Sequence, residues 1–321
     1  MKKTNIQSVK SMTRTIGDDN FFTRVKKDFG INKTLYLIML PVIVYFVIFK
    51  YIPMYGLLMA FQDYSPRLGI RGSDWVGFKH FVDFFRSPSC KVVLINTVKI
   101  SLSSFIFGFP APIILALLLN ELKSAKLGKV IQNATYIPHF ISLVVVCGII
   151  NIFTSDDGLI GRVYNLITGS TGSMLNHPNC FLPIYVISNI WKEVGWGSII
   201  YLAALTAIDA SLYEAAEIDG AGKLKKVIHI TIPGILPTIV IMLIMRMGSI
   251  LNVGYEKILL LYNDSTMNVA DVVSTYVYRR GLTNLDWSYS AAVGLFNSVI
   301  NLFFLIGSNV ISKKVNGYGL W

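Results

Sequence analysis

The chain is short of the residues that chemistry needs. Its 321 residues include four histidines and three cysteines. His80, His139, His177 and His229 are scattered singly, and Cys90, Cys147 and Cys180 form no CxxC or metal-type spacing. This excludes a zinc site of the usual kind and a disulfide framework, and leaves the cysteines as small apolar residues or a stray thiol. No G-x-x-x-x-G-K-[ST] phosphate loop is present; the nearest stretch, GSTGSM at Gly169–Met174, lacks the lysine. A G-x-S-x-G elbow and an H-E-x-x-H pair are missing too. No catalytic residue and no metal ligand is therefore assigned, and ATP hydrolysis by this chain alone is excluded. Charge is also sparse, at 15% of residues, and concentrated between long apolar runs.

What fills the chain instead is hydrocarbon. Hydrophobic residues make up 53% and the mean hydropathy is +0.57, too apolar for an ordinary soluble protein. Runs long enough to cross a bilayer predict six spans: about 34–55, 92–119, 131–153, 181–208, 235–262 and 289–311. Pro110 and Pro112 are expected to bend the second, a Gly/Ser/Asp-rich loop through His177 to follow the third, and Gly195 and Gly197 to loosen the fourth. The fold class expected is an all-α polytopic membrane protein. Its divisions are an N-terminal tail over 1–33, a six-helix transmembrane domain over 34–313 and a C-terminal tail over 314–321. The first apolar run starts near Leu35, late for a cleaved secretory signal, so it reads as a retained span. No lipidation box is visible.

The net charge of +11 is an orientation signal rather than a nucleic-acid footprint, because it is not gathered on one soluble face. Eight Lys/Arg lie in the N-terminal tail; Lys123, Lys126 and Lys129 follow span two; Lys223, Lys225 and Lys226 follow span four; Lys313 and Lys314 close the chain. Six spans with this pattern put both termini in the cytoplasm, although Arg279 and Arg280 run against the trend. Lipid is the expected surrounding and no nucleic acid is expected as a partner.

One polar interruption, EAAEIDGAGKLKKVIHITIPGILP over Glu214–Pro237, lies between spans four and five. Ser211 is a candidate cap with Glu214 three residues on, and Ala215, Ala216 and Glu217 favour helix. Gly220 and Gly222 stop or bend that helix, a basic turn follows, and Pro233 and Pro237 mark the return to the apolar phase. The result is a short helix offering charge at Glu214, Glu217 and Asp219 and a close approach at Ala215 and Ala216. A knob of this kind suits a cleft on a soluble partner; a surface helix that touches nothing is the alternative.

Within the spans, Lys192, Glu193 and Arg246 are expensive to bury in lipid. Arg246 lies about 20 Å from Pro233 at helical rise, near mid-membrane. Lys192 and Glu193 are sequence neighbours that do not share a helix face, so each needs its own partner. Two roles fit: lining a watery pathway to contact a polar solute, or pairing across helices. Trp191, Trp196, Tyr201, Tyr255 and Tyr262 cluster in the same region. They could stack on sugar C–H faces, or belong to the aromatic belts of a membrane interface.

Glu214, Ala215, Ala216, Gly220, Ile230, Ile232 and Pro233 match, at fixed offsets, the pattern E-A-A-x3-G-x9-I-x-L-P, with Ile232 in place of the leucine. This stretch resembles the EAA loop of binding-protein-dependent ABC importer permeases. It departs at Leu224 and Val227, where carbohydrate-importing members often carry aromatics. FKYIPMYGLLMAFQDY (49–64), WVGFKHF (75–81), LALLLNEL (115–122), YIPHFIS (136–142), IWKEVGWGSIIYLAAL (190–205) and the terminal GLW extend the likeness over nearly the whole chain. They resemble the LplB-type carbohydrate permeases, related to the maltose type.

The resemblance implies a type I importer fold, a core of five spans plus an N-terminal one. It implies a second permease subunit, two ATP-binding subunits that hold the ATP and Mg, an extracytoplasmic solute-binding protein, and an oligosaccharide substrate. No cofactor is implied on this chain. By the family pattern the ATPase-coupling loop spans 209–233 and uses Glu214, Ala215, Ala216, Asp219, Gly220, Ile230 and Pro233. No family motif fixes the substrate pathway, for which Trp191, Glu193, Trp196, Tyr201, Arg246 and Tyr255 are the candidates. The rival readings are an ABC permease for another solute and an ion-coupled secondary transporter. The latter would be expected to show internal repeats, and none is found.

Overall fold

Prolines mark several of the places where the helices of this chain widen or break in the computed structural model, which describes residues 28–321. The expected tail at 1–33 lies largely outside the described residues. The chain divides into two units, Met1–Leu58 and Met59–Trp321.

In the first unit, α1 (Lys33–Phe46) is apolar all round, as a lipid-facing helix must be. It widens into a π turn over Val47–Tyr51, two residues before Pro53. The same device recurs in the second unit, where a π turn over Val227–Thr231 precedes Pro233. Proline has no N–H to offer the carbonyl four residues back and its ring crowds that carbonyl. One wider turn relieves the clash while the helix continues.

The second unit opens with a two-residue hairpin, β1 (Gln62–Asp63) antiparallel to β2 (Asp74–Trp75). Helices α2 (Lys79–Arg86), α3 (Pro88–Gly108), α4 (Pro110–Asn120), α5 (Ala125–Phe140), α6 (Leu143–Thr154) and α7 (Leu159–Thr168) follow. Then come α8 (Pro178–Leu205), α9 (Ala210–Ile218), α10 (Lys223–Met247, continuous through its π turn), α11 (Tyr255–Leu261), α12 (Val273–Tyr278) and α13 (Trp287–Asn316). Among the described residues, five helical stretches are long and apolar enough to span a bilayer, and six if α8 and α9, bent 75° from each other, count as one.

The spans differ from the sequence expectation in three places. The third is broken: α5 stops at Ile141, just past Pro138, and Ser142 caps α6 through its hydroxyl at 3.4 Å from Val145 N. The loop expected after it contains α7. The fifth starts at Lys223, so the expected basic turn is its first helical turn, and it ends at Met247 rather than 262. There the chain turns at Gly248, with Leu251 N bonded to Asn301 Oδ1 at 3.0 Å, before α11 begins.

The long helix α8 is the central post, packed by α3, α4, α5 and α10. Gly195 does not loosen it, as its sequence suggested. A Cβ there would stand 2.1 Å from the Thr135 carbonyl oxygen, so this glycine lets the backbones of α5 and α8 touch. Three cores form. On the post, one holds Ile100, Val146, Phe181, Tyr185 and Ile258 and another Ala116, Tyr201, Leu205 and Ile235; the third, between α2, α3, α12 and α13, holds Phe84, Val93, Tyr276, Tyr289 and Val293. All three cysteines are buried as free thiols.

The two arginines against the charge trend are occupied. Arg279 makes two hydrogen bonds to Asp271, at 3.2 and 2.6 Å, and Arg280 lies 4.8 Å over the Tyr289 ring. The bonds to Asp271 raise the Arg279 pKa above its ordinary value.

Candidate functional site

Two places gather polar chemistry. The first is the polar interruption, which folds as helix α9 against the base of α10. Its cap is Asp209 rather than the expected Ser211: with φ −64° and ψ 126°, Asp209 turns its carboxylate onto Ser211 N at 2.9 Å, and the helix begins at Ala210. Both residues suit the role, and the backbone takes the first. The other end is a Schellman closure. Gly220 has φ +71°, its N–H bonds Glu217 O at 3.0 Å, and Ala221 N–H bonds Ala216 O at 2.8 Å.

Side chains fasten this helix. Lys226 Nζ lies 2.7 Å from Glu217 Oε1, and Tyr213 OH lies 3.0 Å from the buried Thr231 Oγ1. Lys223 Nζ reaches Glu121 Oε2, just past α4, at 3.7 Å. Glu214, Ala215, Asp219 and Gly220 are exposed, and Leu212 (51%), Ile218 (88%) and Leu224 (72%) put apolar surface beside them. Ile230 is half-buried and Ala216 likewise, while Pro233 is exposed. The knob is thus stiff at its root and apolar at its crown. Sequence reasoning named its charges and alanines but not Asp209, Tyr213 or the apolar crown, and it read Lys226 only as part of the basic turn. Leu212 and Ile218 stand six positions apart, about 120° from each other around the helix, so no helical period in the sequence marks the crown.

The hydrogen bond from Lys226, helped by its charge, holds the Glu217 carboxyl below the ordinary carboxylate range, and the Ser211 amide does the same for Asp209. Each depressed pKa stabilises the knob above the unfolded-state value, and that contribution disappears as pH falls through the depressed one. Amide exchange over 209–221 is therefore expected to be slow at neutral pH and to gain protection factors no longer once both carboxyls protonate. Comparing exchange after correction for its intrinsic pH dependence, an unchanged opening equilibrium between pH 7 and pH 3 would contradict this.

The second place is a cavity of about 320 Å³ inside the span region. Tyr185, Asn189 and Glu193 recur every fourth residue along α8 and line it together with Lys192. Ser101 and Ser104 of α3, Arg246 of α10, the Ile250–Gly254 turn and Lys257 of α11 complete the wall. Lys192 and Glu193 do not take separate partners. They lie 3.3 Å apart, and His139 of α5 serves both: its carbonyl accepts from Lys192 Nζ at 2.9 Å and its Nδ1 lies 2.8 Å from Glu193 Oε2. Long side chains bridge the angle that separates neighbours on a helix.

Of the six pathway candidates, Glu193 and Arg246 face this cavity. Trp196 stacks on His139 at 4.6 Å and 2°, next to the cavity's ion pair. Trp191 lines a different, apolar cavity of about 780 Å³. Tyr255 stacks on Tyr278 at 5.6 Å, and Tyr201 is buried in the core with Ala116 and Ile235. Lys257 was missed because hydropathy runs through the turn that returns it to α8. No cluster of His, Cys, Asp or Glu among the described residues could hold a metal.

Residues 29–317 match the family of binding-protein-dependent transport system inner membrane components. The chain belongs to that family. The permease is 47% identical to Protein LplB of Bacillus subtilis (strain 168) over 291 residues, 90% of this chain and 92% of that one. Over the same share of this chain and 91% of the other, it is 44% identical to the polygalacturonan/rhamnogalacturonan transport system permease protein YteP of the same strain. Its fold superposes with TM-score 0.84 on a chain of a bacterial alginate ABC transporter solved in complex with an alginate pentasaccharide-bound periplasmic protein, at 41% identity, covering 92% of this chain and all of that one. The permease is a multi-pass membrane component with the ABC importer permease fold.

Proposed function

We propose that this permease is the transmembrane subunit of an ATP-driven importer of oligosaccharides, and that α9 is its coupling helix. What carries the reading is the knob itself: a stiffly rooted, apolar-crowned helix leaving the post α8 at 75°. A movement imposed on its crown passes through Tyr213–Thr231 and Lys226–Glu217 into α10, and through the bend into α8. Both helices line the polar cavity, so the displacement reaches the place where a solute would sit.

In this scheme the knob and both chain termini face the cytoplasm. Two ATP-binding subunits supply hydrolysis and hold the nucleotide and its Mg, a second permease completes the pathway, and an extracytoplasmic solute-binding protein delivers the sugar. The chain carries no cofactor of its own. Glu214, Ala215, Ala216, Asp219 and Gly220 form the surface offered to the ATPase, with Ile230 and Pro233 at its root. Glu193 and Arg246 are the pathway candidates the cavity supports; Trp196 stands beside it on His139, whereas Trp191, Tyr201 and Tyr255 are no part of its wall. Its relatives' names, which speak of polygalacturonan and alginate transport, support the saccharide.

Reconstitution of the permease with its partner subunits tests this. Labelled oligosaccharide is expected to accumulate only with ATP inside the reach of the ATPase and with the binding protein present. Accumulation by the permease alone, without nucleotide, would overturn the reading in favour of an ion-coupled carrier.

A further inference from the structure

The cavity between α3, α8, α10 and α11 holds more positive charge than a passage for a neutral solute requires. Lys192, Arg246 and Lys257 line it against the single carboxylate of Glu193. That carboxylate is already engaged, by Lys192 at 3.3 Å and by His139 at 2.8 Å. The Lys257 ammonium, on a residue only 3% exposed, donates to the Tyr185 carbonyl at 3.1 Å and lies 4.7 Å from the centroid of the Tyr185 ring. Neither partner bears a charge. Arg246 has no ion pair among the described residues, and its guanidinium makes no hydrogen bond with them.

A second, independent feature points the same way. Ser101 and Ser104, one helical turn apart on α3, are buried wall residues whose hydroxyls find no hydrogen-bond partner. Buried polar groups are almost always satisfied, and unpaired cations inside a membrane region are costlier still. Two uncompensated cations beside two unsatisfied hydroxyls form the imprint of a guest that brings a carboxylate together with hydroxyl groups. The cavity volume, about 320 Å³, lies at the low end of small-molecule sites, roughly 300–1,000 Å³, which suits a segment of a saccharide rather than a long chain.

We propose that this cavity binds acidic oligosaccharides, with Arg246 and Lys257 receiving a uronate carboxylate and Ser101, Ser104 and Asn189 its hydroxyls. The proposal rests on the importer reading and adds a charge requirement to it. Lys192, Glu193 and His139 are positioning residues here: their mutual pairing removes the one carboxylate that could otherwise neutralise Arg246 or Lys257.

The test uses the assembled transporter with its binding protein in liposomes. Uptake is measured for a panel of labelled uronate oligosaccharides, trigalacturonate among them, and for their neutral counterparts. Uronate uptake by the wild type is expected. Arg246→Gln is expected to lower it by about tenfold to a hundredfold, the worth of a charged hydrogen bond, with Arg246→Lys losing less and the ratio of uronate to neutral uptake falling in step. Lys257→Met is the second variant, with assembly checked by size exclusion because its ammonium is buried. Ser104→Ala removes a hydroxyl without touching charge and is expected to cost less. Uptake of neutral sugars alone, or an equal loss of both kinds in Arg246→Gln, overturns the anion site and leaves the importer reading standing. Failure to take up any saccharide of the panel, in a complex whose ATPase is active, overturns the importer reading and this inference with it.

Discussion

Gly220→Val is expected to remove most transport, by roughly tenfold or more, from a permease that still inserts and assembles; misplacing a working surface by about 1 Å can cost that much. Gly220 sits at φ +71° and closes the Schellman turn that ends α9. A β-branched residue in this left-handed conformation costs about 1–2 kcal/mol, and the chain escapes by unwinding the turn. Unwinding frees Ala216 O and Glu217 O and displaces the Glu217 end of the Lys226 bridge. The crown then no longer stands at a fixed angle to α10. Sugar uptake and sugar-stimulated ATPase activity should fall together, while capture of sugar by the binding protein is untouched. Gly220→Asn, which tolerates the left-handed region, should retain much more activity. Wild-type uptake in Gly220→Val would remove α9 as the coupling element.

Asp271→Ala is expected to destabilise the fold by about 1–3 kcal/mol, less than the loss of a fully buried charge pair because the Arg279 side chain keeps 29% of its surface exposed. Asp271 is 6% exposed and satisfies three elements at once. Its carboxylate accepts two bonds from Arg279 and one from Thr275 Oγ1 at 2.7 Å, and its backbone carbonyl accepts from Asn96 Nδ2 of α3 at 3.0 Å. The backbone bond survives the substitution; the carboxylate bonds do not, and Arg279 is left without its counter-charge. Thermal unfolding in detergent should show a lowered midpoint, with Asp271→Asn intermediate because it keeps acceptors without the charge. A midpoint unchanged in Asp271→Ala would mean that Arg279 finds water instead and that the pair contributes little.

Much of this architecture is legible from the residues because hydropathy and the caps agree. Span two bends at the Gly108–Pro110 break that its prolines announce, and α9 stops at the glycine expected to stop it. The misses share a cause. Hydropathy averages over a window, so it runs through the Gly248–Gly254 turn and joins α10 to α11, hiding the reversal that carries Lys257 back to Tyr185. Local spacing likewise separates Lys192 from Glu193, because it ignores what comes from 53 positions away: a single imidazole and its own carbonyl on α5 draw the two together. Gly195 looked like a flexible point because a glycine within a helix is ambiguous alone; only the neighbouring backbone of Thr135 tells contact from looseness. Ser211 and Asp209 are equal as caps by type, and two residues of register decide between them.

The burial of Cys90, Cys147 and Cys180 has a practical side. Thiol-directed reagents dissolved in water have little to attack on the native protein, so a fluorophore or spin label placed by one new cysteine at exposed Leu212 or Ile218 would report from a nearly silent background. The permease can therefore be watched while it turns over, without first stripping it of its native sulfur.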